Sequence, residues 1–510
     1  MSVKNRWRLW IIVAILLVAL LKHSFYLRSI GYDQIPETYV VLDERTWVWQ
    51  GLSIRKTGIP AGWSQLQAYK KGFGGATEGL NVTVDERKPT LQNFTNFPKP
   101  ALAVLEFDYG RGMRHTPIVQ PLIEQPPLGG LILSSLVSNK VKTFTDLTPF
   151  EFRKVSLWLG VVTGILIFIL GWQVFNNPFI GLLATAIYGS VPTFILLSRY
   201  ALLENVLNPF MLLTINLLVF AQKLISSKKE YGLINWKNVL LLAGIVSGLT
   251  ALTKITGWFI LVIGVVLLLY WKINLRNTLF FVLPSVLIGL LYFAWGLYLA
   301  PNLFLDIFRY QSIERGFIGS INLLVTSTRV GILNFPFDGW WIGGFLSLIL
   351  VPFKKEYIPV VFGAIIVLLS ALFLGGANFP WYFIPMIPFM CLAIAQFFWQ
   401  VAIKPKFISI LIFFLIFASS TFYWGYGVFQ AALVSTNYQQ PYGVYRILLI
   451  FFVVAGLILS IQSKFKKLRY LWLIFMVVVT LMLIRFNERS LYFILSNWDK
   501  LPSPYTPGTF

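Results

Sequence analysis

The chain has 510 residues, of which 57% are hydrophobic and only 12% charged, with a net charge of +22. About half the charge density of a soluble protein excludes a cytosolic enzyme, and the hydrophobicity excludes a disordered chain. A single cysteine, Cys391, excludes an internal disulfide, a thiolate zinc site and an iron–sulfur cluster; two histidines, His23 and His115, argue against a histidine metal centre.

The chain opens with Lys4, Arg6 and Arg8 ahead of an apolar run from Leu9 to Leu21. No small-residue cleavage site follows, so residues 1–27 read as a retained first span with its basic end in the cytoplasm. Residues 28–149 hold Gly-rich pieces, prolines and many of the acids, and read as a large polar loop on the far side. Within it, Tyr39 to Leu42 reads as extended and Arg45 to Thr57 as a surface helix ending at Gly58 and Pro60. Gln125 to Val137 is too short to cross and is expected to lie on the membrane surface.

From residue 150 onward, apolar runs alternate with short polar breaks. The runs are 150–173, 178–197, 205–222, 238–253, 256–271, 278–299, 338–353, 357–374, 382–401, 407–424, 444–462 and 470–485, which with the first makes thirteen expected spans. The organisation is a transmembrane module over 150–300, an outer loop over 301–337, further transmembrane helices over 338–485 and an outer tail over 486–510. The fold class is all-α, polytopic, with juxtamembrane helices in the first outer loop. The inner breaks then hold 17 basic residues against two acids, Glu230 and Glu356, which is the positive-inside pattern. That pattern predicts an integral membrane protein with the N-terminus cytoplasmic and the C-terminus outside, and the absence of a large soluble domain in the sequence points to a prokaryotic inner or plasma membrane.

The remaining 18 of 20 acids fall on the outer side. An acid between apolar runs is costly unless paired or wet, so each needs a reason. Asp43-Glu44 is either a capping pair for the helix that follows or a reactive carboxylate pair. Glu204 ends Ser198-Arg199-Tyr200-Ala201-Leu202-Leu203-Glu204, an outer turn between two spans. It either neutralises Arg199 or contacts substrate. Lys254, in Thr253-Lys254-Ile255-Thr256-Gly257, is either a snorkelling lysine or a cation for a lipid phosphate. Glu124-Gln125-Pro126-Pro127-Leu128-Gly129 opens the surface helix. Trp381 and Tyr382 enter a late span, where an interfacial belt is the plain alternative to a site role.

Taken in order, these pieces resemble the GT-C class of integral membrane glycosyltransferases, specifically the protein O-mannosyltransferases and the bacterial aminoarabinose transferase of lipid A. The carriers are the acidic pair after the first span, the Pro-Pro-Leu-Gly helix, Arg153 opening the second span, the Arg199–Glu204 turn, the Thr-Lys break and the Tyr382 entry. The resemblance is clear from about residue 5 to 260 and thin to about 390.

The resemblance implies a polyprenyl-phosphate sugar donor and chemistry on the periplasmic or lumenal side. It implies Asp43 as general base or acceptor-orienting carboxylate, with Glu44 beside it and Glu204 as second acidic position, the three forming the expected catalytic set. It implies Arg315, Tyr382 and Lys254 at the donor phosphate, with Arg199 and Gln125 as further candidates. Gln125 stands where the aminoarabinose transferase has a lysine, so one phosphate cation is absent from that position. Glu124, Trp47 and Trp340 are candidates for acceptor or sugar contact, the tryptophans by stacking. The expected reaction is inverting transfer of a monosaccharide to a hydroxyl of a lipid, glycan or protein, with membrane lipid as surroundings and no nucleic acid partner. No cofactor is specified; dependence on a divalent metal stays open, with no metal ligands assigned. A polyprenyl-linked lipid transporter or flippase, or an O-antigen-type polymerase or ligase, is the alternative. A transporter would bring inverted repeats, and none is visible.

Overall fold

The computed structural model describes residues 3–33, 39–64, 66, 68–69, 101–106, 115–142, 144–228, 235–311, 339–351, 354–374, 380–418, 421, 442–462 and 466–496. The apolar runs become helices because hydrocarbon offers the backbone no other hydrogen-bond partner. The helices are α1 (Val3–Ser29), α2 (Tyr39–Thr57), α3 (Pro127–Leu133), α4 (Lys154–Phe175), α5 (Pro178–Ser190), α6 (Pro192–Arg199), α7 (Leu203–Ser227), α8 (Trp236–Thr253) and α9 (Phe259–Tyr270). They continue as α10 (Leu275–Gly289), α11 (Leu291–Leu299), α12 (Pro301–Arg309), α13 (Trp340–Leu350), α14 (Ile358–Leu374), α15 (Ile387–Ile403), α16 (Phe407–Ile412), α17 (Tyr442–Gln462) and α18 (Lys466–Ser496).

Within the described residues, each of the thirteen apolar runs coincides with a helix or a helix pair. Among the described residues, seven helices are long and apolar enough to cross a bilayer, or eight with the bent pair α5 and α6. Four further apolar helices have only 10–17 residues, short of the roughly 20 a crossing needs. The expected thirteen crossings are therefore not all matched by full-length helices.

The bend between α5 and α6 is 71°. Val191 is extended and Pro192 opens α6, so the missing N–H and fixed φ of proline start a new helix in a new direction. This turns Ser198 and Arg199 inward beneath one end of the bundle, where both are buried. α8 packs against α7 on one side and α10 on the other. Gly244 and Gly248, one turn apart, let α10 approach: a Cβ on Gly244 would lie 2.3 Å from the Phe281 carbonyl oxygen. Small residues at this spacing are how membrane helices gain close contact, and Ser285 donates to Ser247 across the same seam at 2.8 Å.

The first and last long helices meet. His23 of α1 bonds Glu488 of α18 at 2.6 Å, and Arg485 donates to the same carboxylate at 2.7 Å. Glu488, expected in an outer tail, thus lies within a helix that extends to Ser496.

The first outer loop differs from its expectation in three ways. α2 begins at Tyr39 rather than Arg45. Asp43-Glu44 therefore sits in the second turn rather than at the helix start. A small antiparallel sheet also forms, β1 (Gly62–Trp63), β2 (Ala101–Glu106) and β3 (His115–Gln120), in the order β1-β3-β2. It is the described departure from an all-α chain. Finally, α3 has seven residues where the sequence suggested thirteen, and it is packed into the protein on one side: Gly129, Gly130 and Leu133 are buried between α2 and the ends of α7 and α8.

Candidate active site

Glu204 lies in the first turn of α7 and Lys254 directly follows α8. The two helices run antiparallel, so these ends are neighbours. An acid at a helix N-terminus and a cation at a C-terminus both complement the helix dipole. Lys254 Nζ donates to Glu204 Oε1. The side chains are 8% and 4% exposed, so each charge at this depth depends on the other. The Lys254 ammonium also stands 4.4 Å from the centre of the Tyr382 ring, within cation–π range.

These three residues line one cleft, with Thr256, Ser370 and Pro385 among its other walls. The enclosed room between them is only about 20 Å³, enough for a single water, and the cleft is partly open to the outside. Lys254 itself is extended, with φ −156° and ψ 145°. Helix α8 thus ends at Thr253 and the chain restarts as a short 3-10 turn over Ile255–Trp258.

Gln125 holds this break in place. Its Oε1 accepts from the Ile255 amide at 3.2 Å, and its carbonyl accepts from Gln50 Nε2 of α2 at 3.2 Å. Two glycines of α3 make the rest of the joint. A Cβ on Gly129 would lie 2.6 Å from the Thr253 carbonyl oxygen and 2.5 Å from Leu203 Cδ2. A Cβ on Gly130 would lie 2.6 Å from the Trp47 carbonyl oxygen, and one on Gly51 only 1.9 Å from the Gly130 oxygen. α3 is therefore a thin wedge between α2 and the ends carrying Glu204 and Lys254.

Glu44 fixes α2 from the other side. Arg153 donates to both of its carboxylate oxygens, from Nε at 2.9 Å and Nη2 at 2.7 Å. The Ala201 amide donates to Oε1 at 2.7 Å. All of this is fully buried, so Glu44 serves as an anchor joining α2, α4 and the turn before Glu204. Asp43 is half-buried. It shares the helical face of Trp47 and Gln50, three to four residues apart in succession, and that face meets α3.

Other candidates fall elsewhere. Arg199 does not pair with Glu204. Its Nη2 donates to the Ile30 carbonyl, its Nε and Nη1 have no hydrogen-bond partner among the described residues, and the guanidinium is wholly buried. The bend at Pro192 turns it toward α1, away from the cleft. Lys254 does not snorkel, because Glu204 holds it. Trp340 is no sugar platform: it is 2% exposed, donates to Thr421 and Asn487 at 3.0 and 3.1 Å and packs on Phe398 and Phe417. Trp47 is half-buried between two apolar clusters. Glu124 is half-buried and accepts from Ser64. Arg315 lies outside the described residues. Among the described residues, no three His, Cys, Asp or Glu side chains gather as a metal site.

The sequence reading missed Arg28. It is fully buried, donates to Ser198 Oγ at 2.8 Å and the Tyr188 carbonyl at 3.0 Å, and stands 4.4 Å over the Tyr188 ring. Its signal was an arginine at the outer end of the first span, where the positive-inside pattern expects none.

Residues 112–305 match the family described as dolichyl-phosphate-mannose-protein mannosyltransferase. The structure superposes on ArnT from Cupriavidus metallidurans bound to undecaprenyl phosphate with a TM-score of 0.54 and 14% identity, over 94% of this chain and 77% of that one. It superposes on the apo form of the same protein with a TM-score of 0.52 and 13% identity, over 97% and 78%. The chain has the fold of the GT-C membrane glycosyltransferases. Within this GT-C fold, the matched segment contains Gln125, Arg153, Arg199, Glu204 and Lys254; Asp43 and Tyr382 lie outside it. No curated protein matches the chain.

Proposed function

We propose that this membrane glycosyltransferase moves one monosaccharide from a polyprenyl-phosphate donor to a hydroxyl acceptor at the outer face, with inversion. The observation that carries this reading is the buried Lys254 ammonium, aimed into a cleft with Glu204 and Tyr382. A lipid-linked sugar presents one phosphate at the interface, and a desolvated cation at that depth stabilises the charge that develops there without reorganising.

Before donor arrives, Glu204 occupies Lys254. The donor phosphate competes for the same ammonium, and its binding releases the Glu204 carboxylate to hold a sugar or acceptor hydroxyl. Tyr382 offers its hydroxyl to the phosphate, and Arg315 is the second cation. The acceptor oxygen attacks the anomeric carbon while its proton passes to Asp43. The bond from that carbon to the phosphate oxygen breaks, and the electron pair leaves with the polyprenyl phosphate. That group departs as an anion, so the reaction requires no protein acid. Glu44 acts by fixing α2, which carries Asp43.

The outer face is supported by the charge at the other end of the same helices. Lys228 follows α7 and Lys237 opens α8, and the basic break at Lys272 and Arg276 lies at this end too. Glu204 and Lys254 lie at the opposite ends of α7 and α8, and a positive-inside orientation puts them outside.

The test is transfer from a synthetic polyprenyl-phosphate sugar by the purified protein. Lys254→Ala is expected to weaken donor binding and Asp43→Asn to abolish turnover with donor binding retained. Undiminished donor affinity in Lys254→Ala would remove the phosphate role, and normal turnover in Asp43→Asn would remove the base.

A further inference from the structure

At the end of the bundle remote from Glu204 and Lys254 lies a second cavity of about 540 Å³. Ligand pockets commonly hold roughly 300–1,000 Å³. It lies where α7 ends, α8 begins and α9 turns into α10. Its lining includes Lys228, Lys272, Trp236, Trp271, Asn274 and Asn277. No acid is among its described lining residues. α8 has 18 residues, or about 27 Å of helix at 1.5 Å per residue, so this cavity and the candidate active site belong to opposite leaflets.

We propose that this cavity binds the phosphate headgroup of an anionic phospholipid in the leaflet opposite the candidate active site. Three features select that ligand. First, two lysines open onto the cavity from fixed points of the backbone: Lys228 and Lys272 have left-handed backbones, φ 53° and 59°, at the points where α7 and α9 end, and both are exposed. Lys229, Lys237 and Arg276 accompany them in the same two sequence breaks against one acid, Glu230, so the net charge there is positive. Second, Trp236 and Trp271 are half-buried in the wall. An indole suits the depth where glycerol ester meets headgroup. Third, the neighbouring surface is apolar: Leu275 is 73% exposed, Leu279 46% and Tyr270 40%. A pocket for a soluble metabolite would open onto polar surface. This one borders the surface that acyl chains would cover.

The experiment is titration of the full-length protein with phosphatidylglycerol, phosphatidylcholine and inorganic phosphate, read by native mass spectrometry for bound lipid and by thermal shift. The variant is Lys228→Asn with Lys272→Asn, because asparagine tolerates the left-handed backbone and removes only the charge. Each lysine near an anionic headgroup contributes about fivefold in affinity, so the double variant should bind phosphatidylglycerol about 25-fold more weakly. A second variant, Trp271→Ala, keeps both charges and should weaken lipid binding while leaving any response to inorganic phosphate unchanged. Selective binding of phosphatidylglycerol that the double variant loses supports the proposal. Equal binding of phosphatidylcholine, a response to inorganic phosphate as large as to lipid, or unchanged lipid binding in the double variant would overturn it.

Discussion

Lys254 and Glu204 stand fifty residues apart in sequence and form one buried ion pair at the adjoining ends of two antiparallel helices. Removing one partner leaves the other charge buried alone. Lys254→Met and Glu204→Gln are each expected to destabilise by about 3–5 kcal/mol. The double variant should lose less than the two singles combined, with a coupling of about 0.5–3 kcal/mol. Denaturant unfolding of the four proteins in nanodiscs checks this, and additive losses would show that the pair contributes nothing as a pair.

The adjacent acids of α2 should separate by readout. Glu44→Gln disrupts a bidentate, fully buried contact with Arg153, and should cost about 3–5 kcal/mol of stability. Asp43→Asn, at a half-buried position, should cost less stability than Glu44→Gln and lower turnover by about 10²–10⁴-fold. Stability and single-turnover assays on both variants distinguish the roles. The reverse pattern would exchange the assignments.

The glycine joint can be tested by one methyl group. Gly51→Ala places a Cβ 1.9 Å from the Gly130 carbonyl oxygen, so α2 and α3 must part. The expected stability loss is about 1–3 kcal/mol, with turnover falling as α2, which carries Asp43, shifts. Gly58 provides the comparison. It has φ +76° with open space around it, so Gly58→Asn should be tolerated with full turnover.

Trp340→Ala should behave as a core deletion. Its ring packs on Phe398 and Phe417, and a loss of about 3–5 kcal/mol is expected. The acceptor KM of the folded fraction should stay unchanged. A raised KM with normal stability would restore a sugar-contact role.

A pH effect follows from the outer region. Burial, reinforced by the Glu124 charge, pushes the Tyr69 phenol well above its ordinary range. The folded state keeps this proton where the unfolded chain, with an ordinary pKa of about 10, releases it. Stability should therefore be unaffected below about pH 10 and decline as pH rises above it. In Tyr69→Phe that part of the alkaline decline should disappear, as measured by midpoints between pH 8 and 11.

The spans were legible because an apolar run in lipid has one backbone solution, and Glu204, Lys254 and Tyr382 stood out as polar groups at the edges of such runs. Their partners were not legible. Arg199 and Glu204 are five residues apart and looked like a pair, but the bend at Pro192 sends the arginine toward α1. Lys254, distant in sequence, takes its place because α7 and α8 are antiparallel. Glu44 looked like a cap because nothing in the short stretch Tyr39 to Leu42 marked it as helical, and its true partner, Arg153, is over a hundred residues away. The sheet escaped because β2 and β3 are six residues each, inside a segment whose prolines and glycines read as loop. Trp340 illustrates a general limit: an aromatic at a span entry has the same local sequence whether it faces sugar, lipid or core.

The contact between His23 and Glu488 joins residues 465 positions apart. On a chain inserted from its N-terminus, α1 enters the bilayer long before its partner helix exists. Its wait must be spent against lipid or provisional neighbours, and the final seam forms only when nearly all other helices have been made. Non-local closures of this kind slow folding. Late assembly, rather than insertion, is then the stage at which this bundle is most exposed to misfolding and proteolysis.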